Sequence, residues 1–176
     1  MAILLDDHYC FGANLKYTSQ KQNSEYGNAI FSKFPIIDYE NILLTSGKEQ
    51  RGVLKARINV NGTHVNVYNT HLGLDLKERM IQVKEIINIM SQDSGEKILM
   101  GDFNTESSNQ DYELLMDKGE VKNTLDEMQK TFPSSHPNIR LDYIFVSKNI
   151  DVYHSAVISS TASDHLPIVA ELGLKK

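Results

Sequence analysis

A single cysteine, Cys10, denies this chain any internal disulfide and suits a reducing compartment, with packing as its expected role. There is no run of lysines or arginines: 23 acidic residues mix with 18 basic ones for a net charge of −5, so a long nucleic acid clamped by its phosphates is not the favoured partner. That exclusion is partial, because an acidic protein can still recruit a phosphate through a bound metal and a few local donors. No apolar stretch approaches membrane-spanning length. The opening Met1-Ala2-Ile3-Leu4-Leu5-Asp6-Asp7 lacks a basic flank and turns acidic after a very short apolar run, the wrong pattern for a signal peptide. A cytosolic protein is expected. Repeats, low-complexity tracts and interdomain linkers are also missing, so residues 1–176 read as a single domain or most of one, with an ordinary 40% apolar content for its core.

What is present reads as a sheet-rich α/β protein. The clearest local signal is a β-hairpin: the alternating runs Val53–Val60 and His64–His71 flank Asn61-Gly62, a dipeptide that tolerates positive φ at both turn positions. From Asp75 to about Gln92, Leu76, Met80, Val83, Ile87 and Met90 recur at helical spacing, and Asp75 with Glu78 forms a capping-box pattern. Short strands are expected at His8–Gly12, Ala29–Ser32, Lys97–Met100, Leu141–Ser147, Val152–Ser159 and Pro167–Leu172, and a second short helix at Asn109–Asp117. Lys16–Ser24 reads as an exposed loop and Thr131–Ile139, with two prolines, as an irregular one.

Four segments carry acids, amides and imidazoles at or just beyond strand ends, where sites on rigid scaffolds are built. They are Asn69-Thr70-His71-Leu72, Gly101-Asp102-Phe103-Asn104, Arg140-Leu141-Asp142-Tyr143 and Ser163-Asp164-His165-Leu166-Pro167. In an extended backbone Asp102 and Asn104 point the same way, giving an oxygen-rich point suited to a hard cation or a phosphoryl group, although a polar turn uses the same residues. Asp142 sits inside an apolar run, where a carboxylate needs a cation or hydrogen-bond donors. His71 and His165 alone would pass for structural histidines. No cysteine or serine stands in an activated context. Together the set suits attack of water on phosphorus, assisted by Mg²⁺.

The ordered series Ser24-Glu25-Tyr26-Gly27-Asn28-Ala29-Ile30, Asn69-Thr70-His71-Leu72, Gly101-Asp102-Phe103-Asn104, Leu141-Asp142-Tyr143-Ile144 and Ser163-Asp164-His165-Leu166-Pro167 resembles the endonuclease/exonuclease/phosphatase superfamily over about Phe11–Leu172. The resemblance implies a four-layer α/β sandwich of two packed, mixed and largely antiparallel sheets flanked by helices. It implies a hydrolase that cleaves a phosphodiester or phosphomonoester with activated water and Mg²⁺, or Mn²⁺ in its place. By the same resemblance Asp102 positions the water, Asn104 holds a phosphoryl oxygen, His165 acts on the phosphate with Asp142 fixing its tautomer, and His71 donates to phosphate with Glu25 orienting it. Asp164, Asp102 and Asn104 are the implied metal ligands, and Asn28 and Arg51 the implied substrate contacts. A small phosphodiester, a lipid headgroup or a nucleic acid is the implied partner.

The family pattern also includes an initial strand-helix-strand segment ending in a metal-binding Glu, and the chain is expected to lack it. Such a truncation would expose sheet edge, favour a homo-oligomer formed through that edge, and weaken metal binding enough to leave the chain inactive. A second reading is therefore a non-catalytic relative that holds a phosphate in the same pocket or pairs through the exposed edge.

Overall fold

The Asn61-Gly62 turn forms as its residues dictate: both have positive φ, at 52° and 93°, and the Asn59 side-chain oxygen accepts the Gly62 N–H at 2.7 Å. The computed structural model describes residues 8–18 and 23–174. The turn joins β4 (Gly52–Val60) to β5 (Thr63–His71). β3 (Ile36–Leu43) pairs with β4 on its other side, and the α1 crossover (Leu76–Ser91) returns the chain so that β6 (Glu96–Asp102) lies parallel to β5. After α2 (Gln110–Lys118) and β7 (Val121–Asn123), β8 (Asp142–Ser147) pairs antiparallel with both β6 and β7. The sheet order is β3-β4-β5-β6-β8-β7.

Alternation along these strands gives the sheet two apolar faces. One carries Val53, Tyr68, Leu99 and Phe145, and packs under Val83, Ile86 and Met90 of α1 and Leu115 of α2. The other carries Leu54, Ala56, Ile58, Val65 and Val67, and packs against Cys10 and Ile30. Those two residues belong to the antiparallel hairpin of β1 (His8–Thr18) and β2 (Asn23–Ser32), while β9 (Asp151–Val157) and β10 (Ile168–Gly173) form a second hairpin. Two packed sheet layers with helices outside are thus present. Of the four layers expected, the described residues supply three. Each fully buried aliphatic side chain, such as Ile86, contributes roughly 1.5–3 kcal/mol.

The structure corrects several local expectations. Lys16–Thr18 and Asn23–Ser24 are strand rather than loop, because their backbones pair in the β1–β2 ladder; the remainder of that expected loop lies outside the described residues. Strands β3 and β7 were not expected. Asp75 does cap α1, accepting the N–H groups of Lys77 and Glu78, but the Glu78 carboxylate takes the Gln82 side-chain N–H instead of closing the capping box. The buried face of α1 is Arg79, Gln82, Val83, Ile86 and Met90, while Leu76 is exposed. Two polar residues fill that face because each has partners inside, so periodicity of apolar residues alone placed the stripe about one position away.

Candidate active site

His71, Asp102 and Asp142 stand in one row across the sheet, since Asp102 is the Cα partner of His71 on β5 and of Asp142 on β8. Directly paired residues share a face, so the three side chains converge without any loop to aim them. The row needs β5 and β6 parallel and β8 antiparallel, which brings two strand ends and one strand start to the same edge. Gly101 makes the approach close: its φ is +140°, and a Cβ there would meet the Thr70 carbonyl oxygen at 1.9 Å.

The Asp102 carboxylate is the centre. One oxygen accepts the Asn104 N–H at 2.9 Å; the other lies 3.3 Å from His71 Nε2 and 4.0 Å from His165 Nε2. His165 arrives from the loop before β10, with Nδ1 at 2.8 Å from Asp142 and its ring 4.7 Å from that of Phe132. That loop is pinned to residues 131–134, where Leu166 N–H donates to the Thr131 carbonyl and Ser134 N–H to the Asp164 carbonyl. Asn104 has a left-handed φ of 49°, and its side-chain N–H donates to the Leu72 carbonyl at 2.9 Å, leaving its second N–H for another acceptor.

A buried ion pair ties the loops together from below. Arg79 donates through Nε to Asp111 at 2.6 Å and through Nη1 to the Leu74 carbonyl at 2.7 Å, and the Thr105 hydroxyl donates to the other Asp111 oxygen at 2.8 Å. Asp111 is fully buried and Arg79 nearly so. Neither residue stood out in the sequence; the only signal was charge on an otherwise helical stretch.

The electrostatics separate the two histidines. Burial lowers the His71 pKa, and the Arg51 guanidinium adds to this, against the pull of Asp102 and Glu49. Burial also opposes charge on His165, but the hydrogen bond and charge of Asp142, with the charges of Asp102 and Asp164, outweigh it and raise its pKa. Burial raises the Asp102 pKa, assisted by the neighbouring Asp142 charge and opposed by the Asn104 N–H and the two histidines.

The other expected site residues lie further out. Glu25 pairs with Lys16 at 3.1 Å on the exposed part of β2, and it is the Tyr26 hydroxyl that sits 3.2 Å from His71 Nδ1. Tyr26 was missed although it lies inside the quoted Ser24–Ile30 motif. Asn28 is buried and donates to the Gly52 carbonyl at 3.0 Å, fastening β2 to the start of β4. Arg51 is buried beside Glu49. Asp164 is exposed, with Ser163 Oγ at 3.2 Å, and lies outside the cluster in which Asp102, Asp142 and His165 offer ligand atoms within 4.8 Å of one another.

The family model described as Endonuclease/Exonuclease/phosphatase family matches residues 3–165. The chain belongs to this family. An Escherichia coli relative, the uncharacterized protein YbhP, is 32% identical over 182 residues, which cover 94% of this chain and 68% of the relative. Among solved structures, the family member from Bacteroides vulgatus superposes with a TM-score of 0.85 at 19% identity, covering 99% of this chain and 78% of that one. The mannosyl-6-phosphatase Bt3783 of Bacteroides thetaiotaomicron gives 0.82 at 19% identity, covering 96% and 77%. At such identities these two likenesses establish a shared fold. No helix among the described residues is long and apolar enough to cross a membrane.

Proposed function

We propose that this chain is a divalent-metal-dependent hydrolase that cleaves a phosphoester with an activated water, working as a single-domain cytosolic enzyme on a small phosphate ester. The observation that carries the reading is the pair of carboxylate–imidazole couples, Asp102 with His71 at 3.3 Å and Asp142 with His165 at 2.8 Å, with His165 Nε2 4.0 Å from the Asp102 carboxylate between them.

The roles follow from the geometry. Tyr26 next to His71 Nδ1 supports a tautomer in which Tyr26 donates and Nε2–H points at Asp102, and the lowered pKa keeps that ring neutral. Asp102, through the oxygen that faces the two histidines, accepts a hydrogen bond from the attacking water and orients it. His165, with Nδ1–H held by Asp142 and a raised pKa, presents Nε2–H as the donor to a phosphoryl oxygen or to the leaving oxygen. The free N–H of Asn104 donates to a phosphoryl oxygen as charge builds on it.

A metal fits this donor set. Mg²⁺ keeps several waters and takes one or two carboxylates plus substrate oxygens, and the Asp102–Asp142 pair is such a set, with like charges that a cation relieves. Asp102 and Asp142 would hold the ion, Mg²⁺ or Mn²⁺, with the amide oxygen of Asn104 as a further donor, while Asp164 acts through its charge on His165. Bound there, the ion supplies charge that neutralises phosphoryl oxygens and favours ionised water.

The test is hydrolysis of p-nitrophenyl phosphate and bis(p-nitrophenyl) phosphate with Mg²⁺ or Mn²⁺. Turnover that EDTA removes and Asp102→Asn reduces by about 10²–10⁴-fold supports the reading. Metal-independent turnover, or none with either substrate, would refute it.

A further inference from the structure

On the β4 side of β5, away from β8, a cavity of about 700 Å³ opens between residues 45–51 and the start of α1. Arg51 lines it and is 7% exposed, yet its Nε and Nη1 have no hydrogen-bond partner among the described residues. The Glu49 carboxylate is 2.9 Å from Nη1, an ion pair out of hydrogen-bonding alignment. A buried guanidinium with idle donors is costly unless something arrives to accept them. Arg51 precedes Gly52, whose carbonyl accepts the hydroxyl of Thr70 next to His71, and Gly73 of the lining follows His71 by two residues, so the cavity adjoins the His71 end of the row.

The rest of the lining narrows the chemistry. Lys48 and Arg51 face the carboxylates of Glu49, Asp75 and Glu78, so acids outnumber bases and a second phosphate is disfavoured. Asp75 and Glu78 each use one oxygen on α1 itself, Asp75 on the Lys77 and Glu78 N–H groups and Glu78 on Gln82. Their other oxygens remain as acceptors. Among the described residues no aromatic ring lines the cavity, which removes the stacking platform a nucleobase would use. Leu74 and Ile81, 76% and 45% exposed, give it an apolar wall. Idle donors beside idle acceptors, against an apolar wall, match groups that donate and accept at once on a ring or chain with C–H faces.

We propose that this cavity seats the hydroxyl-rich body of a phosphomonoester, a sugar, cyclitol or polyol phosphate, with Arg51 and Glu78 reading its hydroxyls while the phosphate lies between His71 and Asn104. The inference rests on the phosphoester-hydrolase reading and names its substrate class. It makes Arg51 a specificity residue.

The experiment has two arms. In the first, amide NMR spectra of the Asp102→Asn protein are recorded with inorganic phosphate and with glucose 6-phosphate, glycerol 1-phosphate and myo-inositol 1-phosphate. Phosphate alone should leave Gly47, Gly73 and Leu74 unmoved, and at least one of the three esters should shift them. In the second, wild-type kcat/KM for the best ester should exceed that for p-nitrophenyl phosphate. Glu78→Gln or Arg51→Met should each raise KM for the ester about tenfold, the cost of a hydrogen bond to a charged group, with a smaller change for p-nitrophenyl phosphate. Absence of shifts with all three esters, preference for fructose 1,6-bisphosphate or AMP, or an equal loss on every substrate overturns the proposal. If p-nitrophenyl phosphate and its diester are both inert, the hydrolase reading falls, and the NMR arm still decides what the cavity binds.

Discussion

Replacing Asp111 by Asn tests the claim that a buried ion pair holds the site in place. Asp111 has no exposed surface, and both its oxygens are engaged, one by Arg79 at 2.6 Å and one by Thr105 at 2.8 Å. The amide keeps the shape but removes the charge that compensates a guanidinium only 6% exposed. Breaking one partner of such a pair costs roughly 3–5 kcal/mol, because the other charge is left buried and unpaired. Urea unfolding followed by circular dichroism should show this as a lower midpoint with unchanged slope. Removing both charges, in Arg79→Met/Asp111→Leu, should restore most of the stability, since an apolar pair of similar size avoids the desolvation cost. Activity should not return with it: Arg79 also holds the Leu74 carbonyl, three residues after His71, and Thr105 follows Asn104. A loss below about 1 kcal/mol in Asp111→Asn, or full activity in the stable double variant, would sink the argument.

Gly101→Ala should fail to fold or lose cooperative melting, because its Cβ would enter the Thr70 carbonyl at a positive φ; a soluble variant with native melting would refute the close approach. Burial pushes the Tyr143 pKa up to about 12. The neutral ring therefore adds stability that is complete below the ordinary tyrosine value near 10 and is lost as pH rises toward 12, by roughly 3 kcal/mol, so denaturant midpoints should fall across that window and fall less steeply in Tyr143→Phe, where the raised Tyr68 and Tyr112 remain. Asp142→Asn should lower the His165 pKa, read by proton NMR titration; an unmoved titration would remove Asp142 from the role assigned to it. The His165 contribution to stability, present below its unfolded pKa and lost as pH rises through the raised folded one, should shrink in that variant. Association through exposed sheet edge, where β3 presents Tyr39 and Leu43, should appear as a mass that rises with concentration in light scattering, and a constant monomer mass would exclude it.

The row of His71, Asp102 and Asp142 was legible because strand signals and candidate site residues coincided. His71, Asp102 and Asp142 end or begin runs of alternating or apolar residues, so finding the strands found the site. Strand β3 escaped because an edge strand need not alternate: Ile37, Asp38, Tyr39 and Glu40 are all exposed. The stripe of α1 was misplaced because Arg79 and Gln82 are buried by their hydrogen bonds, which no apolar periodicity can report. Glu25 and Tyr26 exchange partners for a similar reason, since neighbours on a strand face opposite ways and the motif alone does not say which way β2 turns toward His71. The Arg51 cavity depends on the loop geometry of residues 45–51, for which the sequence offers only serine, glycine and charge.

That His71, Asp102 and Asp142 occupy facing rungs of two adjoining backbone ladders has a consequence for how such a site can change over generations. Peptide groups set the spacing of the rungs, so a new side chain on any of them arrives already aimed at its neighbours. Mutation can therefore exchange chemistry at this edge one letter at a time while the scaffold stays as it is. A slip of β8 by a single residue would instead turn Asp142 to the opposite face, so the turnover proposed for this site would double as an assay of whether a newly made chain has zipped up in register.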